Sequence, residues 1–451
     1  MQNPDSWFTS KFLSLKEKVA IINKDKRYTY SNLLDQINAF DRSIQSEIPA
    51  GTVVALLSDY SFQSIALFFS LVRNRNTIVP VISQNEAEIE HRITISCASK
   101  KITISGERLQ ISDTGNTSDN PLFEKLRKTD HAGLVLFSSG ITDQPKAMLH
   151  DLDQLISGYR KDVVKEINSI IFLTFDHIGG IDTLLSLLSI GGTVTIPETR
   201  DPKSICALIE NHKVNVLSCS PTFLNLLILS EAYKSYNLGS LQIIGFGAEQ
   251  MPEFLLQKIK DIFPNVRIQQ KFGTSETNAI RVKNHPTQSL FMKIDDPNIQ
   301  YKIVDHELWL KSATQILGYL NKNSEDFEDG WFKTGDVVSE TDDGYFRIIG
   351  RKKEVINVGG EKVFPGEVEN VILQLRSVTG CSVYGIKNLI TGEIVVAEVT
   401  IITNGDSTEI KKEIKEICAR NLDPYKRPAK IKVVEGLTMN ERFKKLRKPG
   451  N

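Results

Sequence analysis

Leu134-Val-Leu-Phe-Ser-Ser-Gly-Ile-Thr-Asp-Gln-Pro-Lys146 runs from an apolar strand into a hydroxyl-rich loop that holds one glycine and ends on a lysine. Successive backbone N–H groups, Ser and Thr hydroxyls and one ammonium suit a polyphosphate held in a concave loop. Read alone, the stretch fits phosphate binding and a plain surface loop equally. It is not a P-loop: Pro145 stands where the second glycine belongs, and Ala147 where a magnesium-binding Ser or Thr should be.

Around this stretch, apolar runs of strand length alternate with helical patterns, which predicts an α/β fold with mainly parallel sheets layered by helices. Strands are expected at 53–57, 77–81, 133–137, 169–174, 192–196, 214–218 and 241–245, and helices at 61–72, 181–189 and 222–232. Ser220-Pro221 supplies a cap and a first-turn proline for the last of these. After about Phe291 the texture changes to short strands and turns, a β-rich subdomain with hairpins at Asp305-His-Glu-Leu-Trp-Leu and Gly344-Tyr-Phe-Arg-Ile-Ile. Beyond Gly350-Arg-Lys-Lys353 the pattern resets to helix (365–375), strands (381–386 and 394–400) and helix (407–422). A boundary near residue 353 leaves a small α+β C-terminal domain of ordinary size.

Composition narrows the function. The chain has 451 residues, 40% hydrophobic and 24% charged, with 55 Lys+Arg against 55 Asp+Glu. It lacks the cation surplus of a nucleic-acid binder or a membrane-surface protein. No run approaches the roughly 20 apolar residues of a membrane span, and the start lacks a basic and apolar leader, so a cytoplasmic address is expected. Cys97, Cys206, Cys219, Cys381 and Cys418 are far apart, which predicts reduced core thiols rather than disulfides or a zinc site. Residues 424–448 hold nine Lys or Arg against two Glu; alone, this reads as a solvated tail.

Further motifs follow in order. Phe272-Gly-Thr-Ser-Glu276 is an aromatic-Gly-x-x-Glu turn, Gly330-Trp-Phe-Lys-Thr-Gly-Asp336 ends on a carboxylate, and Gly350-Arg-Lys-Lys-Glu-Val-Ile-Asn-Val-Gly-Gly-Glu-Lys-Val-Phe-Pro-Gly-Glu-Val-Glu369 is long and specific. Phe443-Lys-Lys-Leu-Arg447 closes the set. Together with the loop at 134–146, these resemble the adenylate-forming superfamily of acyl- and aryl-CoA ligases, amino-acid adenylation domains and firefly luciferase. The resemblance spans essentially the whole chain.

The resemblance implies residues 1–350 as an ATP- and acyl-binding domain, a hinge at 351–353 centred on Lys353, and a mobile domain at 354–451. It implies ATP contacts from Ser138, Ser139, Gly140, Thr142, Lys146, Gly247, Ala248, Glu249, Phe272, Gly273, Ser275, Asp336, Ile348 and Arg351. Asp336 would accept bonds from both ribose hydroxyls, and Arg351 would donate to sugar or phosphate. Glu276 would hold Mg2+, Lys444 would be the catalytic lysine, and Gly359 and Gly360 would lie on the CoA side. Within Thr174-Phe-Asp-His-Ile-Gly-Gly180, the implied acyl pocket is aligned either by His177, as in acyl-CoA ligases, or by Asp176, as in amino-acid adenylation domains. Its His-Ile-Gly-Gly run favours His177 and an uncharged acyl or aryl acid; Gly245 would line the same pocket. Ile141, Asp143, Ala147 and Phe443 depart from the superfamily pattern.

The implied reaction is AMP-forming activation of a small-molecule carboxylic acid with ATP and Mg2+, then thioester formation with CoA. A variant delivers the acyl group to the phosphopantetheine of a separate acyl carrier protein. A non-catalytic nucleotide-binding module is the reading of another class. No nucleic-acid or membrane partner is expected.

Overall fold

The computed structural model describes residues 4–106, 108–117, 119–138, 145–287, 290–402 and 406–437. Two seven-stranded sheets carry most of the chain. The first runs, edge to edge, Arg267–Gln270, Ile243–Phe246, Val216–Cys219, Asn168–Ile170, Thr193–Ile196, Val19–Asn23 and Lys26–Thr29. All its neighbours are parallel except the closing hairpin Val19–Asn23/Lys26–Thr29. The second has a parallel centre of Gly133–Phe137, Thr77–Pro80, Val53–Leu56 and Lys100–Ser105, with antiparallel strands at both edges.

Strand Val53–Leu56 shows why an uninterrupted apolar run specifies such a sheet. Val54 and Leu56 pack into the core containing Phe68 and Ile78, while Val53 and Ala55 pack into the opposite core with Phe123 and Val135. Both faces are covered, so no polar alternation is allowed. Helix Phe62–Arg73 follows, started by a reciprocal capping box between Ser61 and Ser64.

A third, antiparallel sheet contains the hairpins Ile299–Val304/Glu307–Ser312 and Trp331–Glu340/Phe346–Arg351, where the β-rich texture was expected. After the turn Lys352–Glu354, the remaining sheet pairs Val378–Asn388 with Gly392–Ile401 and adds Ile356–Val358, Glu361–Val363 and Lys430–Val433. Helices Pro365–Ile372 and Ser407–Asn421 pack their apolar sides into its core. The five cysteines are free, and no helix among the described residues is long and apolar enough to cross a membrane.

Helix Pro365–Ile372 ends short of the expected 375 and strand Val378–Asn388 outruns the expected 381–386, and three elements beside the cleft also differ from the sequence expectation. The strand expected at 169–174 pairs only over Asn168–Ile170, and the apolar run continues buried but outside the sheet. Helix Ile178–Ser189 begins three residues early, because the His177 ring accepts the Gly179 N–H as an N-cap. Helix Pro221–Leu229 stops early, before Glu231 at φ +53°.

Candidate active site

A cleft of about 1680 Å³ opens at the carboxyl ends of strands Val216–Cys219, Ile243–Phe246 and Arg267–Gln270, where ligands of open α/β sheets bind. The third sheet and the C-terminal domain form its other walls. Gln250, on the loop after Ile243–Phe246, ties that loop to the third sheet by donating to the Ile348 carbonyl at 3.1 Å.

Glu276 follows strand Phe272–Thr274 in a turn closed by the Thr277 N–H on Thr274 Oγ1 at 3.0 Å. Burial raises its pKa, opposed by a hydrogen bond from the Tyr319 hydroxyl to Oε1 at 3.0 Å. Tyr319 lies on the edge strand that pairs with Ala147–Asp151, so the second sheet positions this carboxylate. The same hydroxyl reaches Asp326 at 3.3 Å, and Asp326 Oδ2 also receives Lys146 Nζ at 2.8 Å and Lys322 Nζ at 3.0 Å. Burial works to raise the Asp326 pKa, but the two ammonium groups hold it at about 2. Ser138 and Lys146 are tied together by Ser138 N–H on the Lys146 carbonyl and Lys146 N–H on Ser138 Oγ.

Asp336 is 3% exposed and sits mid-strand opposite Arg351 in the hairpin register. Arg351 Nε meets its Oδ1 at 2.7 Å. On the loop after Ile243–Phe246, a Cβ at Gly247 would lie 2.8 Å from the Lys271 carbonyl, and one at Gly245 would lie 2.5 Å from Ser218 Oγ. Only glycine lets the chain come so close to that carbonyl at Gly247 and to that side-chain hydroxyl at Gly245. Ala248 adopts φ +67°, and Glu249 accepts from Thr222 N–H and Oγ1 at 3.2 and 2.6 Å.

The fold therefore brings Ser138, Lys146, Gly245, Gly247, Ala248, Glu249, Phe272, Gly273, Ser275, Glu276, Asp336, Ile348, Arg351, Lys353 and His177 to one cleft. Asp176 does not line this cleft. It is 2% exposed, pairs with Arg92 at 3.0 Å and accepts from the Thr174 hydroxyl at 2.7 Å. The backbone between is extended at His177 (φ −121°), so consecutive side chains point to opposite sides and only His177 lines the cleft. Gly359 and Gly360 form the turn between Ile356–Val358 and Glu361–Val363, away from the cleft. Ser139, Gly140, Ile141, Thr142, Asp143, Phe443, Lys444 and Arg447 lie outside the described residues.

Tyr159, Asp182, Lys271, Tyr319 and Asp326 escaped sequence reading. Lys271 adjoins the Phe272 motif in sequence, but the others carry no local signature. Among the described residues no group of three or more His, Cys, Asp or Glu could hold a metal ion. A lone carboxylate such as Glu276 suits magnesium, which keeps waters and takes substrate phosphate oxygens as its other ligands.

Residues 11–320 match the model of the AMP-binding enzyme family, and 367–444 that of the AMP-binding enzyme C-terminal domain. The chain belongs to the AMP-binding enzymes. Its relatives include a 2-succinylbenzoate–CoA ligase of Bacillus pumilus, 26% identical over 98% of this chain and 96% of that protein. A 4-coumarate–CoA ligase-like protein of Arabidopsis thaliana is 25% identical over 86% of this chain and 72% of its own length. Among solved structures, an anthranilate CoA ligase in complex with anthranoyl-AMP has TM-score 0.84 at 19% identity, covering 98% of this chain and 95% of that one. The o-succinylbenzoate CoA synthetase from Bacillus subtilis with its acyl-adenylate intermediate has TM-score 0.80 at 21% identity, covering 98% and 96%. These structures share the adenylate-forming fold.

Proposed function

We propose that this enzyme activates a carboxylic acid with ATP, releasing pyrophosphate, and passes the acyl group of the resulting acyl-AMP to the thiol of CoA, releasing AMP. The observation that carries this reading is the convergence in one cleft of Asp336 with Arg351, Glu276, the neck of the phosphate loop and the glycine loop, next to the pocket entered past His177.

A carboxylate resists attack because of its charge and because oxide is a poor leaving group; attack of its oxygen on the α-phosphorus removes both obstacles. The protein contributes positioning and charge stabilisation. Asp336 accepts the ribose hydroxyls and fixes the sugar. Gly245 and Gly247 let the purine and acyl groups approach the backbone. Lys146 exchanges Asp326 for a phosphate oxygen when ATP enters, and Lys322 stays behind to neutralise Asp326. Glu276 offers its carboxylate to magnesium, which would neutralise phosphate charge. Lys444 bridges the carboxylate and α-phosphate oxygens, where negative charge gathers in the first half-reaction. Lys353, in the turn Lys352–Glu354 between the two domains, is the hinge about which residues 354–451 swing for thioester formation.

The test is a pyrophosphate-release screen over fatty, aryl and amino acids with and without CoA. The expected outcome is release that depends on an acyl or aryl acid, and thioester formation with free CoA; transfer only to a carrier protein would move the acceptor to a phosphopantetheine arm. Lys444→Ala should abolish acyl-AMP formation while leaving thioester formation from supplied acyl-AMP largely intact.

A further inference from the structure

Helix Ile178–Ser189 buries Ile181, Leu184, Leu185 and Leu188 against the core, yet its second turn puts Asp182 on the cleft wall. The Tyr159 hydroxyl donates to Asp182 Oδ1 at 2.8 Å, and Ser186 Oγ, one turn along, reaches the same oxygen at 3.4 Å. Oδ2 has no hydrogen-bond partner among the described residues. Burial raises the Asp182 pKa, and the Tyr159 hydrogen bond and the positive charges of Lys271 and Lys161 oppose it.

Lys271 lines the same cleft. Its Cε lies 3.5 Å from the position a Cβ would take at Gly245, beside the acyl pocket. It is near enough to Asp182 to act on it electrostatically, yet the two form no ion pair within 4.0 Å. Lys271 is exposed to the cleft, whereas two buried carboxylates are closed by arginines: Asp153 meets Arg75 at 2.9 Å and Asp176 meets Arg92 at 3.0 Å. Holding a charge inside costs several kcal/mol unless a partner compensates it. Asp182, with one oxygen anchored by Tyr159 and the other without a partner among the described residues, and the exposed ammonium of Lys271 line the same cleft and offer a ligand group there an acceptor and a donor.

We infer that the acid activated here carries a hydroxyl group, phenolic or aliphatic, bound between Asp182 and Lys271; this rests on the adenylation reading above. A hydroxyl donates to Asp182 and accepts from Lys271. An ammonium only donates and is repelled by Lys271, a second carboxylate only accepts and is repelled by Asp182, and a methyl leaves both charges unpaired. Sites built to hydrogen-bond a hydroxyl discriminate strongly against analogues lacking it, because their own polar groups are then stranded.

The test is ATP–pyrophosphate exchange by the full chain with matched acids: benzoate, its hydroxy, aminomethyl and carboxy derivatives, and alkanoates with their hydroxy counterparts. The expected result is a kcat/KM for the best hydroxy acid at least about tenfold above its unsubstituted parent, roughly one hydrogen bond to a charged group. Asp182→Leu should collapse that ratio to within about threefold, and Asp182→Asn, nearly isosteric, should reduce it. An AMP-induced rise in Tm identifies folded variants. Preference for amino, dicarboxylic or unsubstituted acids overturns the inference, as does an unaltered hydroxyl preference in both variants. Exchange with none of the acids overturns the adenylation reading itself, a result distinct from exchange without hydroxyl preference.

Discussion

At the nucleotide end of the cleft the charged groups already have partners: Lys146 and Lys322 on Asp326, Arg351 on Asp336, Tyr319 on Glu276. At the acyl end Asp182 and Lys271 share one cavity without pairing, and His177 spends its Nδ1 on capping a helix. Under the proposed function the first arrangement would hold a constant ligand, ATP replacing partners that are already aligned, and the second would leave the variable ligand to complete the electrostatics, so that selectivity among acids would belong there.

The largest expected effect separates pocket from support. Asp176→Ala strands Arg92 behind the acyl end with only Glu88 left, and should destabilise the fold by about 3 kcal/mol. Urea unfolding measures this, and the rank order of accepted acids should not change. Loss of amino-acid turnover alone would return Asp176 to the pocket.

Asp336→Ala acts on the nucleotide end alone. Two charge-assisted bonds to the ribose at roughly 1.5–3 kcal/mol each predict at least a hundredfold weaker ATP binding. Isothermal titration with unchanged affinity would remove the ribose role.

His150 lies buried beside Asn278, on the strand next to Tyr319. Burial lowers its pKa from 6.5 to about 4. Below pH 6.5 the unfolded chain takes up a proton that the folded chain refuses, so stability falls from pH 6.5 to about 4 and levels off below. The loss should total about 3 kcal/mol. His150→Leu should flatten that part of the profile in urea titrations at pH 7 and 4.5; an equally steep variant would assign the slope to other groups.

The smallest effect concerns the passage between half-reactions. Lys353→Pro, by fixing φ at the hinge, should slow thioester formation several-fold more than adenylation. Equal slowing in single-turnover assays of each half would argue against domain rotation.

How far the sequence carried the reading follows the same division. Asp336 and Arg351 belong to one hairpin, Glu276 to one turn, and Ser138 and Lys146 to the two ends of one loop, so short continuous motifs encode them. The proposed acyl end draws Tyr159, the helix begun by His177 and carrying Asp182, Ser218, Gly245 and Lys271 from parts of the chain that only the folded sheet brings together. The parallel sheets were legible because strands buried on both faces must be apolar throughout. The same uniformity concealed where strand Asn168–Ile170 ends, since a buried run outside the sheet looks identical. Asp176 and His177 were not separable in the sequence because adjacency does not say which way an extended backbone turns each side chain.

The central claim, acid-dependent adenylate formation in this cleft, is tested most directly by following the purified chain with ATP, CoA and an accepted acid through quantification of AMP, pyrophosphate and thioester. The account predicts all three in equal amounts, with none formed when the acid is omitted. Release of ADP and phosphate, or of AMP at the same rate without acid, would contradict it.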